Sequence, residues 1–252
     1  MSEKLNQHIP APLRLCVSAF CLFLIFTIAP VAAQDDLIAS MTLEQRVGQM
    51  FMVTLHGSVV TEQGAAFLRT YQPGAVVLFT SNLEAPDQIT RLTNGYQQTI
   101  TDAGGVPLLI AVDQEGGVVA RLQQGFTIFP APVLMTAAGN DMARRVGGTT
   151  AQELRAVGIN MNLAPVADLE TFRDNPIIFR RAFSNDPALA GETIAAYVTG
   201  TQLENVLATA KHFPGHGETR QDSHAVLQTL DLDRARLDAV ELAPFRAAIE
   251  AR

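Results

Sequence analysis

Five continuous apolar runs, separated by helical patterns, constrain this chain more than any other feature. They begin at Gln49, Ala75, Leu108, Ile159 and Val206. Runs such as Ala75-Val76-Val77-Leu78-Phe79 and Leu108-Leu109-Ile110-Ala111-Val112 are apolar at every position rather than every second one. Strands of that kind are covered on both faces, as parallel strands joined by helical crossovers are. Helical patterns fill the intervals over Thr61 to Tyr71, from Pro86-Asp87 to near Gly104, over Asp141 to Val157 and after Asp186-Pro187. A last helix is predicted over Arg234 to Glu250. Thr42-Leu43-Glu44-Gln45 has the spacing of a capping box. The stretch from Gln114 through Arg121 to Pro130 and Pro132 reads as loop. The expected fold is α/β, a (β/α)8-type (TIM-like) barrel with about five strands present. A doubly wound open sheet is the alternative. It would want a glycine-rich phosphate turn after an early strand. Gln114-Glu115-Gly116-Gly117 suits that poorly, because Glu115 would repel a phosphate.

Three of the runs end in ionisable residues: Asp113, Asp168 and the pair Lys211-His212. In a barrel the strand C-termini meet on one face, so these groups are expected around one pocket. The densest stretch is Lys211 to His224. It holds three of the five histidines and one of only two lysines, the other being Lys4. Pro214, Gly215 and Gly217 make it a shaped loop. His212 and His216 have the spacing of a helical zinc pair, but Pro214 and Gly215 lie between them, so no metal is expected. The formal charge of −7 argues against a nucleic-acid partner, which rewards a basic face.

Residues 1–33 read as a signal peptide. Lys4 and Arg14 precede an apolar run from Leu15 to Ile28, and Pro30-Val31-Ala32-Ala33 supplies small residues before a cleavage point. The expectation is export to the periplasm or exterior, with no stable membrane insertion after cleavage. Both cysteines, Cys16 and Cys21, fall in the leader, so residues 34–252 carry no disulfide.

The motifs resemble glycoside hydrolase family 3, in its β-N-acetylglucosaminidase (β-hexosaminidase) subgroup. They are Asp113-Gln114-Glu115-Gly116-Gly117 with Arg121, then Lys211-His212-Phe213-Pro214-Gly215-His216-Gly217, then Asp222-Ser223-His224. The resemblance covers about Leu37 to Arg252. It implies a barrel enzyme without cofactor, a retaining exo-glycosidase acting on a small saccharide such as amino-sugar glycan fragments. Carried over residue by residue, it implies sugar binding by Asp113, Arg121, Arg181, Lys211 and His212, with His216 shaping the loop. In the string Asn175-Pro176-Ile177-Ile178-Phe179-Arg180-Arg181-Ala182-Phe183, Phe179 and Ala182 replace a usual glycine and serine, and Arg180 competes with Arg181.

His224 with Asp222 matches the subgroup's acid/base dyad. A glycosidase must protonate the leaving oxygen and later deprotonate water, and an imidazole titrates in the range that permits both. A carboxylate two residues away can hold one ring nitrogen and set the tautomer. Retention also needs a nucleophilic carboxylate. The family's later Ser-Asp-Asp-Leu-type motif has no counterpart here, and Asp168 does not match its position. A C-terminally truncated family domain, inactive by itself, is therefore expected. The alternatives are an inactive sugar-binding module, or a β-glucosidase or β-xylosidase of the same family.

Overall fold

The computed structural model describes residues 31–251. The signal-peptide reading lies almost wholly outside them. The chain divides into two units, Met1–Arg46 and Val47–Arg252. The first holds helix α1 (Val31–Ser40) and most of α2 (Leu43–Gly48). The predicted capping box is present at the start of α2: the Thr42 N–H donates to Gln45 Oε1 at 2.9 Å, and the Gln45 N–H to Thr42 Oγ1 at 3.2 Å.

The second unit alternates strand and helix. In chain order come β1 (Met52–Val53), α3 (Glu62–Tyr71), β2 (Ala75–Leu78), α4 (Pro86–Asp102) and β3 (Leu109–Val112). A hairpin of β4 (Gln114–Gly116) and β5 (Val119–Ala120) follows. Then come α5 (Pro132–Ala138), α6 (Asn140–Ala156), β6 (Met161–Asn162), α7 (Pro187–Leu203) and β7 (Leu207–Ala208). Thr61 caps α3 by accepting from the Gly64 N–H at 3.0 Å. Asp186 caps α7 through the Leu189 N–H at 2.9 Å. Proline begins α4, α5 and α7, where its missing N–H costs nothing.

The sheet order is β1-β2-β3-β6-β7, with every pair parallel. Strands added one after another in the same direction trace the arc of a (β/α) barrel. A doubly wound sheet would reverse its order partway. Among the described residues the sheet does not close. Register aligns Leu78, Val112, Asn162 and Ala208 in one row. That row faces the helices: Val76, Leu78, Ile110 and Val112 pack with Leu68 of α3, with Ile89, Leu92 and Tyr96 of α4, and with Leu154 of α6. A second cluster joins Val146 of α6 and Ile194, Tyr197 and Val198 of α7 to Phe245.

Several expectations need correction. Full cover on both sheet faces holds only in part, since Met52, Leu109 and Leu207, whose side chains alternate away from the helices, are exposed. The predicted run from Ile159 to Val166 pairs as a strand only at Met161–Asn162. Pro165 has no N–H for a ladder, and the Thr209 N–H donates to both Asn162 O (3.0 Å) and Ala164 O (2.8 Å). Pairing returns in one bridge, Val166 to Lys211. The stretch from Gln114 to Pro132 read as loop contains the β4–β5 hairpin, and α5, which was not predicted, begins at its end. The last helix is broken into Arg234–Arg236, a π turn at Leu237–Glu241 and Ala243–Glu250. Pro244 cannot donate to the regular ladder, and the Leu242 N–H reaches back to Leu237 O at 2.8 Å. No helix among the described residues is long and apolar enough to cross a membrane.

Candidate active site

The C-terminal ends of β3 and β7 bring Asp113 and Lys211 together, 98 residues apart in sequence, with Lys211 Nζ donating to Asp113 Oδ1. Immediately after Asp113 the chain turns back on itself as the β4–β5 hairpin. Gly116 and Gly117 both have positive φ (90° and 61°). A Cβ on Gly116 would stand 2.9 Å from Pro130 O, and one on Gly117 2.9 Å from Ala131 Cα. Only glycine meets both demands. Gln114 fastens the hairpin from below: its side chain accepts from the Leu122 N–H and donates to Leu122 O, each at 3.0 Å.

The hairpin aims Glu115 inward. Its side chain is 1% exposed and meets Lys211 Nζ at 2.7 Å. Arg181 grips it with both arms of the guanidinium, Nε and Nη2 each at 2.8 Å. Burial disfavours the Arg181 charge. The hydrogen bonds that Arg181 donates to Glu115, and the charges of Glu115, Asp168 and Asp113, more than reverse this, so the guanidinium pKa is held above its ordinary value. Arg181 rather than Arg180 turns inward. The Arg181 and Ala182 N–H groups both bond to Ile178 O, at 2.7 and 3.1 Å, while Phe179 and Arg180 are exposed. Phe179 is 43% exposed.

Asp168 is buried and fully engaged. Its Oδ2 accepts the His212 N–H at 3.0 Å and lies 2.5 Å from His212 Nδ1. Its Oδ1 accepts the His216 N–H at 2.7 Å. A proton on Nδ1 leaves His212 Nε2 as an acceptor toward Arg181 Nη2, at 3.3 Å. The carboxylate thus fixes both the ring and its tautomer. Asp168 reaches this place because β6 gives way to the single Val166–Lys211 bridge, with the Ala167 N–H donating to Lys211 O at 2.6 Å.

Arg121 stands beside Asp113 through the bond from its own N–H to Asp113 O, at 3.3 Å. Its Nε is buried and has no hydrogen-bond partner among the described residues. Asp222 and His224 form a pair, with Asp222 Oδ1 accepting the His224 N–H at 2.8 Å and lying 2.6 Å from His224 Nδ1. The His224 backbone and ring hydrogen bonds, in that order, lower the Asp222 pKa. The pair sits on an exposed turn, the His224 side chain 82% and Asp222 44% accessible. Ser223 points away from both and ties the turn down, its Oγ 2.8 Å from His216 Nε2. Asn175 braces the same loop. Its Nδ2 donates to His216 O, Gly217 O and Thr219 O at 2.8, 3.0 and 3.1 Å. Its Oδ1 accepts from the Ile177 and Ile178 N–H groups, both at 2.8 Å.

His212 and His216 meet edge to face, centroids 5.8 Å apart. Among the described residues no group of three or more His, Cys, Asp or Glu side chains is arranged to hold a metal ion.

Sequence reasoning missed Glu115 as a member of the site, and it placed Asp168 at the shared mouth without its role of holding His212 and His216. For Glu115 the usable signal was a second carboxylate two residues past Asp113, between the apolar run Leu108 to Val112 and Gly116-Gly117. Burial there demands cationic partners, and Lys211 and an arginine were already candidates for the same mouth.

The Glycosyl hydrolase family 3 N terminal domain model matches residues 42–252. The chain belongs to glycoside hydrolase family 3. It is 37% identical over 187 residues to a "Beta-hexosaminidase A" of Pseudoalteromonas piscicida, covering 72% of this chain and 31% of that one. It is 36% identical over 203 residues to a "Beta-hexosaminidase" of Tolumonas auensis, covering 79% and 59%. A solved glycoside hydrolase family 3 β-N-acetylglucosaminidase from Paenibacillus sp. str. FPU-7 superposes with a TM-score of 0.82 at 40% identity, over 84% of this chain and 41% of that one. The family 3 chain described here thus spans less than two thirds of the length of each of these relatives.

Proposed function

We propose that this chain carries the sugar-binding and acid/base half of an exported, retaining β-N-acetylglucosaminidase acting on peptidoglycan- or chitin-derived saccharides. The observation that carries the proposal is the meeting of Asp113, Lys211, Arg181 and His212 at one mouth, from three separate stretches of chain. Asp113 is an ionised acceptor suited to two hydroxyl protons, and the cations beside it are donors suited to hydroxyl oxygens. The names of the relatives support the amino sugar. Export rests on the pattern of residues 1–33, and the domain is taken as residues 34–252.

In this reading His224 is the acid and base. Its Nδ1–H is donated to Asp222, which leaves Nε2 to deliver a proton to the leaving oxygen and to take one from water afterwards. Asp222 acts through His224 as its positioning residue.

A second reading, sugar binding without turnover by this chain, is favoured by one observation. Each carboxylate of the mouth is engaged: Asp113 with Lys211, Glu115 with Arg181 and Lys211, and Asp168 with His212 and His216. None stands free to act as the nucleophile that retention requires.

Calorimetry with N-acetylglucosamine and hydrolysis of N-acetylglucosaminides test both readings. Binding is expected in either case, and no binding refutes both. Turnover separates them. Where turnover occurs, His224→Ala should cost ~100-fold or more on alkyl glycosides and little on nitrophenyl glycosides, which need little acid help. Equal losses on the two would remove His224 from the acid role.

A further inference from the structure

We infer that Glu115 is a positioning residue that restricts this mouth to uncharged sugar rings. The inference rests on the sugar-binding reading above. Glu115 lies beneath the two cations, not among the groups open to a ligand. Its side chain is 1% exposed, against 12% for Arg181 and 16% for Lys211. A carboxylate so deeply buried is strongly disfavoured unless charges close on it, and both cations do.

The contacts also decide which donors remain. A lysine ammonium has three N–H donors. On Lys211, Asp113 takes one and Glu115 another, leaving one for a ligand. Arg181 spends Nε and Nη2 on Glu115 and places Nη2 near His212. That leaves Nη1, which donates one N–H to Ile177 O at 3.5 Å and has a second. Glu115 therefore turns two mobile cations into fixed donors with defined free N–H groups. Fixed donors suit hydroxyl groups in fixed positions on a ring.

Charge balance gives the specificity. In direct contact, Lys211 and Arg181 are matched by Asp113 and Glu115, two charges against two, while Asp168 is taken up by His212 and His216. An anionic sugar meets no net positive charge and must still approach Asp113. A neutral glutamine at position 115 would unbalance the site by one positive charge.

The test is calorimetry on the full chain with two ligands, N-acetylglucosamine and its analogue oxidised to a carboxylate at C6. The wild type should bind the neutral sugar at least roughly tenfold more tightly, a difference of about 1.4 kcal/mol. Glu115→Gln should weaken the neutral sugar by roughly tenfold and bring the ratio of the two affinities to about one or below. An unchanged ratio overturns the inference even if melting falls, because a purely structural loss weakens both ligands alike. Equal binding of both ligands by the wild type overturns it too. Failure of the wild type to bind either ligand instead refutes the sugar-binding reading. Should the glutamine variant not fold by circular dichroism, Glu115→Asp keeps the charge and shortens its reach. It should weaken both ligands and preserve their ratio, and wild-type affinity in it overturns the inference.

Discussion

Asp168→Asn removes one charge from the most heavily bonded carboxylate of the site and changes almost nothing in shape. The native group accepts three N–H bonds from His212 and His216. An amide has one accepting oxygen. Turned to serve His212, it sets its NH2 against the His216 N–H, stranding a buried donor at a cost of about 1–3 kcal/mol. The two surviving bonds lose their charge assistance, worth about 1 kcal/mol each. The sum is a loss of about 3–5 kcal/mol, or a fall in Tm of about 6–20 °C for a chain of this size. The opposite flip strands the His212 backbone N–H, so it offers no escape. Thermal melting by circular dichroism measures the loss, and calorimetry with N-acetylglucosamine measures its consequence for His212. A Tm within about 2 °C of the wild type, with sugar affinity unchanged, would refute the claim that Asp168 orients His212.

Asn175→Ala should cost about 3 kcal/mol, since it takes the Asn175 partner from the carbonyls of Gly217 and Thr219 and from the N–H groups of Ile177 and Ile178, while His216 O keeps its bond from Thr219 Oγ1. Limited proteolysis should then cut near the Asp222–His224 turn faster than in the wild type, and an unchanged cutting pattern would count against Asn175 as the brace. The lowered pKa of Asp222 sets a pH window for its pair with His224. Because the folded value lies below the ordinary 3.8, the stabilisation is complete above that value and is lost as pH falls through the folded pKa. Carboxyl and imidazole NMR titrations read this directly, and an Asp222 midpoint at or above 3.8 would contradict the hydrogen bonds seen at its Oδ1.

Much of this protein is written locally. Continuous apolar runs placed all five parallel strands, because a run apolar at each position reads as a parallel strand without knowledge of its neighbours, although one face proves exposed at Met52, Leu109 and Leu207. Caps such as Thr42, Thr61 and Asp186 are legible for the same reason, each being a contact across three residues. The short elements were not. The hairpin rests on Gly116 and Gly117 fitting against Pro130 and Ala131, and the early end of β6 on how Thr209 divides its bond.

The site divides along the same line. Strand ends marked Asp113, Asp168, Lys211 and His212 as members of one mouth, but not what each does there. Asp168 bonds across 44 residues, Glu115 across 66 and Asp113 across 98. Which charges pair over such distances is set by sheet order, by register and by the face each side chain takes. A shift of one residue in a strand reverses that face. The sequence by itself determined that ionisable groups gather at the strand ends. Only the tertiary structure decided that Glu115 lies beneath the cations and that Asp168 belongs to His212. An ion pair is a property of two positions in space, and the energy of burying a carboxylate is defined only once its partners are there.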